Sequence, residues 1–263
     1  LKLRYEVIMP PSSSIKNTSC ALIICRKTRN HVCTLHLFTY MSRIGLQSHG
    51  SLGNDLIRVL SDVDNRYEAQ QRIDQSVYGN TFTWNTLIRG YFRGKNLQLV
   101  IHLYRQMQRD LSWNPNNHTF VALLKASGKL KDLQLGMEIH SEVSLADLLG
   151  KDHFVSSSLI DMYIKCGSIS KAQEVFNSLS CRDTTSWNVL ITGYIEHGWN
   201  EDALRLYDKM KYEDIVPNSI TFLCCLKACT SIRDIEKGQE IHSEIGRRGM
   251  MESNLSLGSA MVD

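Results

Sequence analysis

The apolar positions of this chain fall in pairs of short helical stripes. In residues 184–218, Leu190, Ile191 and Tyr194 share one helical face, and His197-Gly198 interrupts them. Ala203, Leu204, Leu206, Tyr207 and Met210 then follow i, i+1, i+3, i+4, i+7 spacing, a broad apolar stripe. The pattern predicts two helices joined by a turn. Asn200 is placed to cap the second, with Glu201 and Asp202 in its first turn, and Pro217 forbids continuation. A hairpin of this size cannot bury both faces alone, so it must stack on neighbours.

The neighbours are in the sequence. SWNVLITGY (186–194) echoes TWNTLIRGY (83–91), and the stripe at 203–210 echoes Val100, Ile101, Leu103, Tyr104 and Met107. Similarly, LKASGKLKDLQLGMEIHSEV (124–143) parallels LKACTSIRDIEKGQEIHSEI (226–245). Hairpin units follow at 50–80, 81–116, 117–152, 153–183, 184–218 and 219–254, with a worn partial unit at 31–49 and a truncated one at 255–263. A three-hairpin supercycle lies above them: Trp84 to Trp187 is 103 residues and Leu124 to Leu226 is 102. Self-similarity at fixed distance identifies a repeat array rather than one core. The last unit stops inside its first helix, and the expectation is a fragment of a longer protein.

Charge changes the picture in one respect. Residues 1–49 hold seven Lys/Arg against Glu6 alone, so the remaining 23 basic and 26 acidic residues leave 50–263 at net −3. A basic array would have pointed to phosphate binding; here nucleic-acid binding has to be argued from other residues. Residues 1–30 are Ser-containing and poor in acids, and show no amphipathic helical period. They read as an organelle transit peptide or as a terminal extension. Eight Cys form no CxxC pair, and Cys224, Cys225 and Cys229 in one helical segment read as small apolar core residues. No apolar run approaches the roughly 20 residues of a membrane span.

Taken together, SWNVLITGY, LIDMYIKCGSISKAQEVF (159–176) and GQEIHSEI (238–245) resemble the plant PLS-class pentatricopeptide repeat family, whose P, L and S motifs alternate with the lengths found above. Units 81–116 and 184–218 match P, 117–152 and 219–254 match L, 153–183 matches S, 50–80 and the truncated unit are S-like, and 31–49 is L-like. Unit 50–80 departs most, with Asp62-Val63-Asp64 where the later S unit has Lys165-Cys166-Gly167. The resemblance implies an all-α, right-handed superhelical solenoid of helix-turn-helix repeats whose first helices line an RNA groove. It also implies binding of single-stranded organellar RNA, one base per P or S repeat.

In that family the fifth and last residues of a P or S motif read the base edge. Carried over, the pairs are Asn54 with Asn80, Asn85 with Asn116, Ser157 with Asp183, and Asn188 with Asn218. An Asn amide offers donor and acceptor, whereas an Asp carboxylate only accepts. The resemblance implies pyrimidines for the Asn–Asn pairs and G for Ser–Asp. L units carry Val121 and Leu223 at the fifth position, which cannot hydrogen-bond. The implied order is pyrimidine, pyrimidine, any, G, pyrimidine, any. Phe82, Phe154 and Thr185 hold the second position, where the family wedges bases. Without the resemblance, Asn85 and Asn188 are equally good helix-start residues, and Asn116 and Asn218 equally good turn residues.

Catalytic chemistry finds no residue set. H-x-E occurs at His140-Ser141-Glu142 and His242-Ser243-Glu244, but the P-C-x-x-C that completes a zinc deaminase is missing. His31, Cys33 and His36 lack a fourth ligand at finger-like spacing. The expectation is a recognition protein with no catalytic residues, metal or cofactor. It would act in the mitochondrion or chloroplast as a specificity factor for RNA processing, above all C-to-U editing, with editing cofactor proteins or a deaminase supplied in trans. The rival reading is a protein-interaction scaffold that does not bind RNA.

Overall fold

The computed structural model describes residues 15–28, 33, 36–37, 40–41, 81–109 and 115–250. Among these residues there are eleven helices and no strand. They are α1 (Ile15–Thr28), α2 (Thr81–Arg93), α3 (Leu97–Met107), α4 (Asn117–Leu130), α5 (Leu133–Leu145), α6 (His153–Lys165), α7 (Ile169–Ser178), α8 (Thr184–Glu196), α9 (Asn200–Tyr212), α10 (Ser219–Ile232) and α11 (Ile235–Arg247). Two compact units, Leu1–Ala126 and Ser127–Asp263, divide the chain. Units 50–80 and 255–263, with Asn54 and Asn80, lie outside the described residues.

Helix starts are set by acidic or amide caps. Asp132, Asp152, Asp183 and Asp234 each accept a hydrogen bond from the backbone N–H three residues on. Such a cap contributes about 1 kcal/mol. The expected Asn200 cap is not formed: Trp199 holds that position and Asn200 is already helical, its Nδ2 donating to the Gly198 carbonyl at 3.4 Å. The hairpin turns need one left-handed residue each. Gly167 and Gly198 supply it at φ 76° and 81°, while Lys95, Lys131 and Arg233 take the same conformation with a side chain attached.

Within the second unit the hairpins form two layers. First helices α6, α8 and α10 pack successively on one another, and second helices α7, α9 and α11 back them. The predicted stripe is the core: Ala203, Leu204, Tyr207 and Met210 are buried, with Leu206 half-buried. Trp187 is fully buried against Phe176, ring centroids 4.6 Å apart and nearly perpendicular. The α6–α8 approach is close because Gly193 has no side chain; a methyl there would overlap Ile164. Second helices α9 and α11 instead meet through long polar side chains. Tyr207 donates to Glu244, and Lys211–Glu240 and Lys237–Asp208 form ion pairs.

In the first unit, α2 packs on α3, whose Val100, Leu103, Tyr104 and Met107 are buried as the stripe requires. Helix α1 falls where the sequence reading finds no helical period. Thr18, Ala21, Leu22 and Cys25 are nonetheless buried on one i, i+3, i+4, i+7 face. Ile23 and Ile24, both half exposed on the opposite side, blur that period. Cys33, Leu37 and Met41 are likewise buried at four-residue spacing, so residues on both sides of position 31 bury helical faces.

Candidate nucleic-acid interface

The predicted readers cluster where one unit's last residue meets the next unit's first helix. At the N-terminus of α10, Asn218 Oδ1 accepts the backbone N–H groups of Ile220 and Thr221 at 3.0 and 3.1 Å. Backbone amides only donate, so this atom must be the oxygen. Asn188 reaches it from α8, and its Nδ2 donates to Asn218 Oδ1 at 3.0 Å. Asn188 Oδ1 is thereby turned to the Thr221 hydroxyl, which donates to it at 2.6 Å. Thr221 Oγ1 in turn accepts the Asn218 backbone N–H at 3.1 Å, closing a capping box. Asn188 is only 7% exposed, while Asn218 is exposed.

This circuit fixes which atoms are left over. Both amide oxygens are engaged inward. Asn218 Nδ2 makes no hydrogen bond among the described residues, and one Asn188 Nδ2 hydrogen is not used by Asn218. The pair therefore presents donors.

The junction at α4 shares part of this construction, with Asn85 and Asn116 linked through the Thr119 hydroxyl rather than directly. Asn116 Oδ1 accepts the Thr119 N–H at 3.0 Å, and the Thr119 hydroxyl donates to Asn85 Oδ1 at 2.7 Å. Asn85 is 5% exposed. Thus the structure brings together Asn85 with Asn116 and Asn188 with Asn218.

The third junction differs. Asp183 Oδ1 caps α8 through the Ser186 N–H at 2.9 Å, but the Ser186 hydroxyl donates to the Asp183 carbonyl at 2.8 Å. Ser157 is 7% exposed and donates to the Phe154 carbonyl of its own helix at 3.3 Å. Among the described residues no hydrogen bond joins Ser157 to Asp183. A single Oγ cannot span the gap that an amide fills. The junction is held instead by Arg182, which stands where the other two have Pro115 and Pro217. Its guanidinium donates to the Phe176 and Asn177 carbonyls and to both oxygens of Glu213, and lies 5.2 Å from the centre of the Phe176 ring.

At the second position Phe154 is 76% exposed and Thr185 is exposed, as an aromatic or polar wedge requires. The side chain of Phe82 lies outside the described residues. His118 and Ile220 occupy the same position in units 117–152 and 219–254 and are also exposed. The sequence reading set the L units aside on their fifth residues, Val121 and Leu223, which are half-buried. It also missed Thr119, Ser186 and Thr221. Their signal was available: a hydroxyl three residues after a capping Asn or Asp is a helix-start pattern.

The side chains considered for other chemistry pack as ordinary helix residues. His140 bonds the Tyr163 hydroxyl at 2.8 Å, and burial lowers its pKa. Glu244 serves Tyr207 and Arg248. Burial pushes the Cys229 thiol up to about 11 and raises Cys225 further, so both are protonated core residues. Of His31, Cys33 and His36, the first lies outside the described residues, Cys33 is buried and His36 exposed. No His, Cys, Asp or Glu cluster able to hold a metal occurs among the described residues, and none of their helices is long and apolar enough to cross a membrane.

Comparison with known proteins agrees with this geometry. Residues 79–129 and 182–231 match the PPR repeat family, and residues 154–183 match the PPR repeat. Pentatricopeptide repeat-containing protein At4g30700 of Arabidopsis thaliana is 30% identical over 95% of this chain and 32% of its own length. At4g21065 of the same plant is 31% identical over 87% of this chain and 39% of its own length. The chain thus spans about a third of the length of these curated relatives. The crystal structure of pentatricopeptide repeat protein PPR10 from maize superposes with a TM-score of 0.64 at 18% identity, over 94% of this chain and 36% of that one. The same protein in complex with an 18-nt psaJ RNA element gives 0.62 over 90% of this chain and 36% of that one. With helix pairs α2–α3, α4–α5, α6–α7, α8–α9 and α10–α11 and these matches spread along it, the chain belongs to the pentatricopeptide repeat family.

Proposed function

We propose that this chain binds single-stranded RNA and reads one base per P or S unit through Asn54/Asn80, Asn85/Asn116, Ser157/Asp183 and Asn188/Asn218, in the order pyrimidine, pyrimidine, any, G, pyrimidine, any. The observation that carries the reading is the engagement of both amide oxygens at Asn188/Asn218. The donors left over suit the O2 carbonyl that cytosine and uracil share. Asp183 offers the opposite chemistry. One carboxylate oxygen caps α8 and the other is available to accept from the N1–H and N2 amino group of guanine. Exposed Phe154 and Thr185 stand beside these pairs as wedges. The likeness in fold to PPR10, whose structure with an RNA element is known, supports the same substrate class.

The PLS alternation of unit lengths supports a finer reading: a specificity factor for RNA processing in a mitochondrion or chloroplast, C-to-U editing above all, with a deaminase or editing cofactor proteins acting in trans. One relative, pentatricopeptide repeat-containing protein At3g09040, carries the designation mitochondrial. The chain's own role is recognition, and no residue is assigned to catalysis. Residues 1–30 keep two readings, transit peptide and extension, and the buried face of α1 favours a structural role for 15–28.

A gel-shift titration at fixed salt tests the central claim. RNAs of the proposed order should bind more tightly than those with G replaced by a pyrimidine, and Asp183→Ala should weaken that preference. Retention of the full preference in Asp183→Ala refutes the assignment. Absence of RNA binding at high micromolar protein has two readings, too few repeats or a protein scaffold, and a longer repeat array separates them.

A further inference from the structure

Base reading needs more than the right residue type, because an Asn amide that can flip presents either a donor or an acceptor. Nothing in Asn188 itself decides between the two. The decision is made at the start of α10. Its backbone N–H groups draw the Asn218 oxygen inward, that oxygen captures Asn188 Nδ2, and the remaining Asn188 Oδ1 finds the Thr221 hydroxyl at 2.6 Å. Thr221 is fully buried, so water cannot substitute for it. Were the Asn188 amide flipped, its oxygen would face the Asn218 oxygen with no proton between them. Thr119, also fully buried, holds Asn85 Oδ1 at 2.7 Å in the first unit. The threonine-to-oxygen contact therefore occurs twice, in separate units, while among the described residues only Asn188 is also held through its Nδ2 by the neighbouring Asn.

Building on the base-reading function, we infer that Thr119 and Thr221 are positioning residues for base selection. Each lies in the L unit that follows a P unit, three residues past the last reader. Each locks the amide of the preceding P unit's fifth residue with its oxygen inward. An L unit that reads no base through Val121 or Leu223 thus sets the polarity with which its predecessor reads. Ser186 does not act this way, since its hydroxyl serves the Asp183 carbonyl.

The test uses the full 263-residue chain and synthetic single-stranded RNAs carrying cytosine or guanine at base two or base five of the proposed order. In the unaltered protein each substitution to guanine should weaken binding about tenfold or more. Thr221→Val keeps the volume and removes the hydroxyl. It should collapse the ratio at base five to about twofold and leave base two unchanged, with Thr221→Ser restoring it; Thr119→Val should do the reverse. An unchanged base-five ratio in Thr221→Val overturns the inference while leaving base reading intact. No preference at either base in the unaltered chain overturns base reading itself. Should the valine variants fail to fold, NMR of the unaltered chain decides: one Asn188 side-chain amide proton should exchange slowly, and rapid exchange of both overturns the lock.

Discussion

The two kinds of junction in this chain solve one problem differently. At Asn188/Asn218 the side chains proposed to read a base are also the joint: they cap a helix, bond each other and engage a buried threonine. At Ser157/Asp183 the two proposed readers are not joined to each other by a hydrogen bond among the described residues, and Arg182 with Glu213 holds the units together from outside. If the proposed base reading holds, specificity and stability use the same atoms in the first case and separate ones in the second. Base-reading substitutions should therefore have very different structural costs at the two places.

The sharpest break of that comparison is Asn188→Ala beside Ser157→Ala. Removing Asn188 takes away the Thr221 hydroxyl's 2.6 Å acceptor, leaving it only the longer 3.2 Å contact to Asn218 Oδ1, and removes one donor from Asn218 Oδ1. A loss of roughly 2–3 kcal/mol is expected. Ser157→Ala removes only a 3.3 Å bond within one helix, and should cost under about 0.5 kcal/mol. Urea unfolding of both variants checks this. Equal losses would mean that the amide circuit does not carry the joint.

Next comes the spacing between the two junctions. It is set by the approach of α6 to α8, where Gly193 faces Ile164. Gly193→Ala introduces an overlap into a packed layer and should destabilise by about 1–3 kcal/mol. Pairing it with Ile164→Val should recover part of the loss, a coupling that a double-mutant cycle measures. Strict additivity would show that the approach is not controlled at this contact.

Arg182→Gln addresses the outside clamp. The Arg182–Glu213 pair is about three-quarters buried on both sides, at 24% and 28% exposure, and the guanidinium also serves two carbonyls. A loss of about 1–2 kcal/mol is expected. Pro115→Ala, at the amide-built junction before α4 where the proline is only half-buried, should cost less, about 0.4–1 kcal/mol, chiefly through a freer unfolded chain. Thermal melts of the two variants order them, and a reversed order would contradict the division of labour between the junctions.

How much of this was legible beforehand follows from what each feature rests on. Hairpin positions were readable because apolar stripes at 3.6-residue period repeat along the chain, and Trp187 to Met210 buries as that period demands. Asn85, Asn116, Asn188 and Asn218 were named as candidates through the family resemblance, which marks the fifth and last positions of a unit; their types alone suit helix starts and turns equally well. Their pairing through Thr119 and Thr221 was not legible, because it depends on tertiary approach of one unit's helix to the next. The cap at Asn200 was misplaced by one residue, since Asn is favoured at a cap but Trp199 had already taken the position. Helix α1 was missed because exposed Ile23 and Ile24 mask the buried face of Ala21, Leu22 and Cys25.

The smallest effect expected is a gain. Arg233 ends α10 at φ 59°, in the conformation that Gly198 adopts at φ 81° at the equivalent place after α8. A side chain in left-handed geometry costs about 1–2 kcal/mol, and glycine gives part of this back through its freer unfolded chain. Arg233→Gly should thus stabilise by about 0.5–1 kcal/mol. The turn lies at the far end of α10 from Thr221, so the base-five ratio should not change. A gain in stability with unaltered base preference would show that turn and reading site are energetically independent within one helix. A shift in preference would show that the register of α10 is transmitted along its length to Asn188 and Asn218.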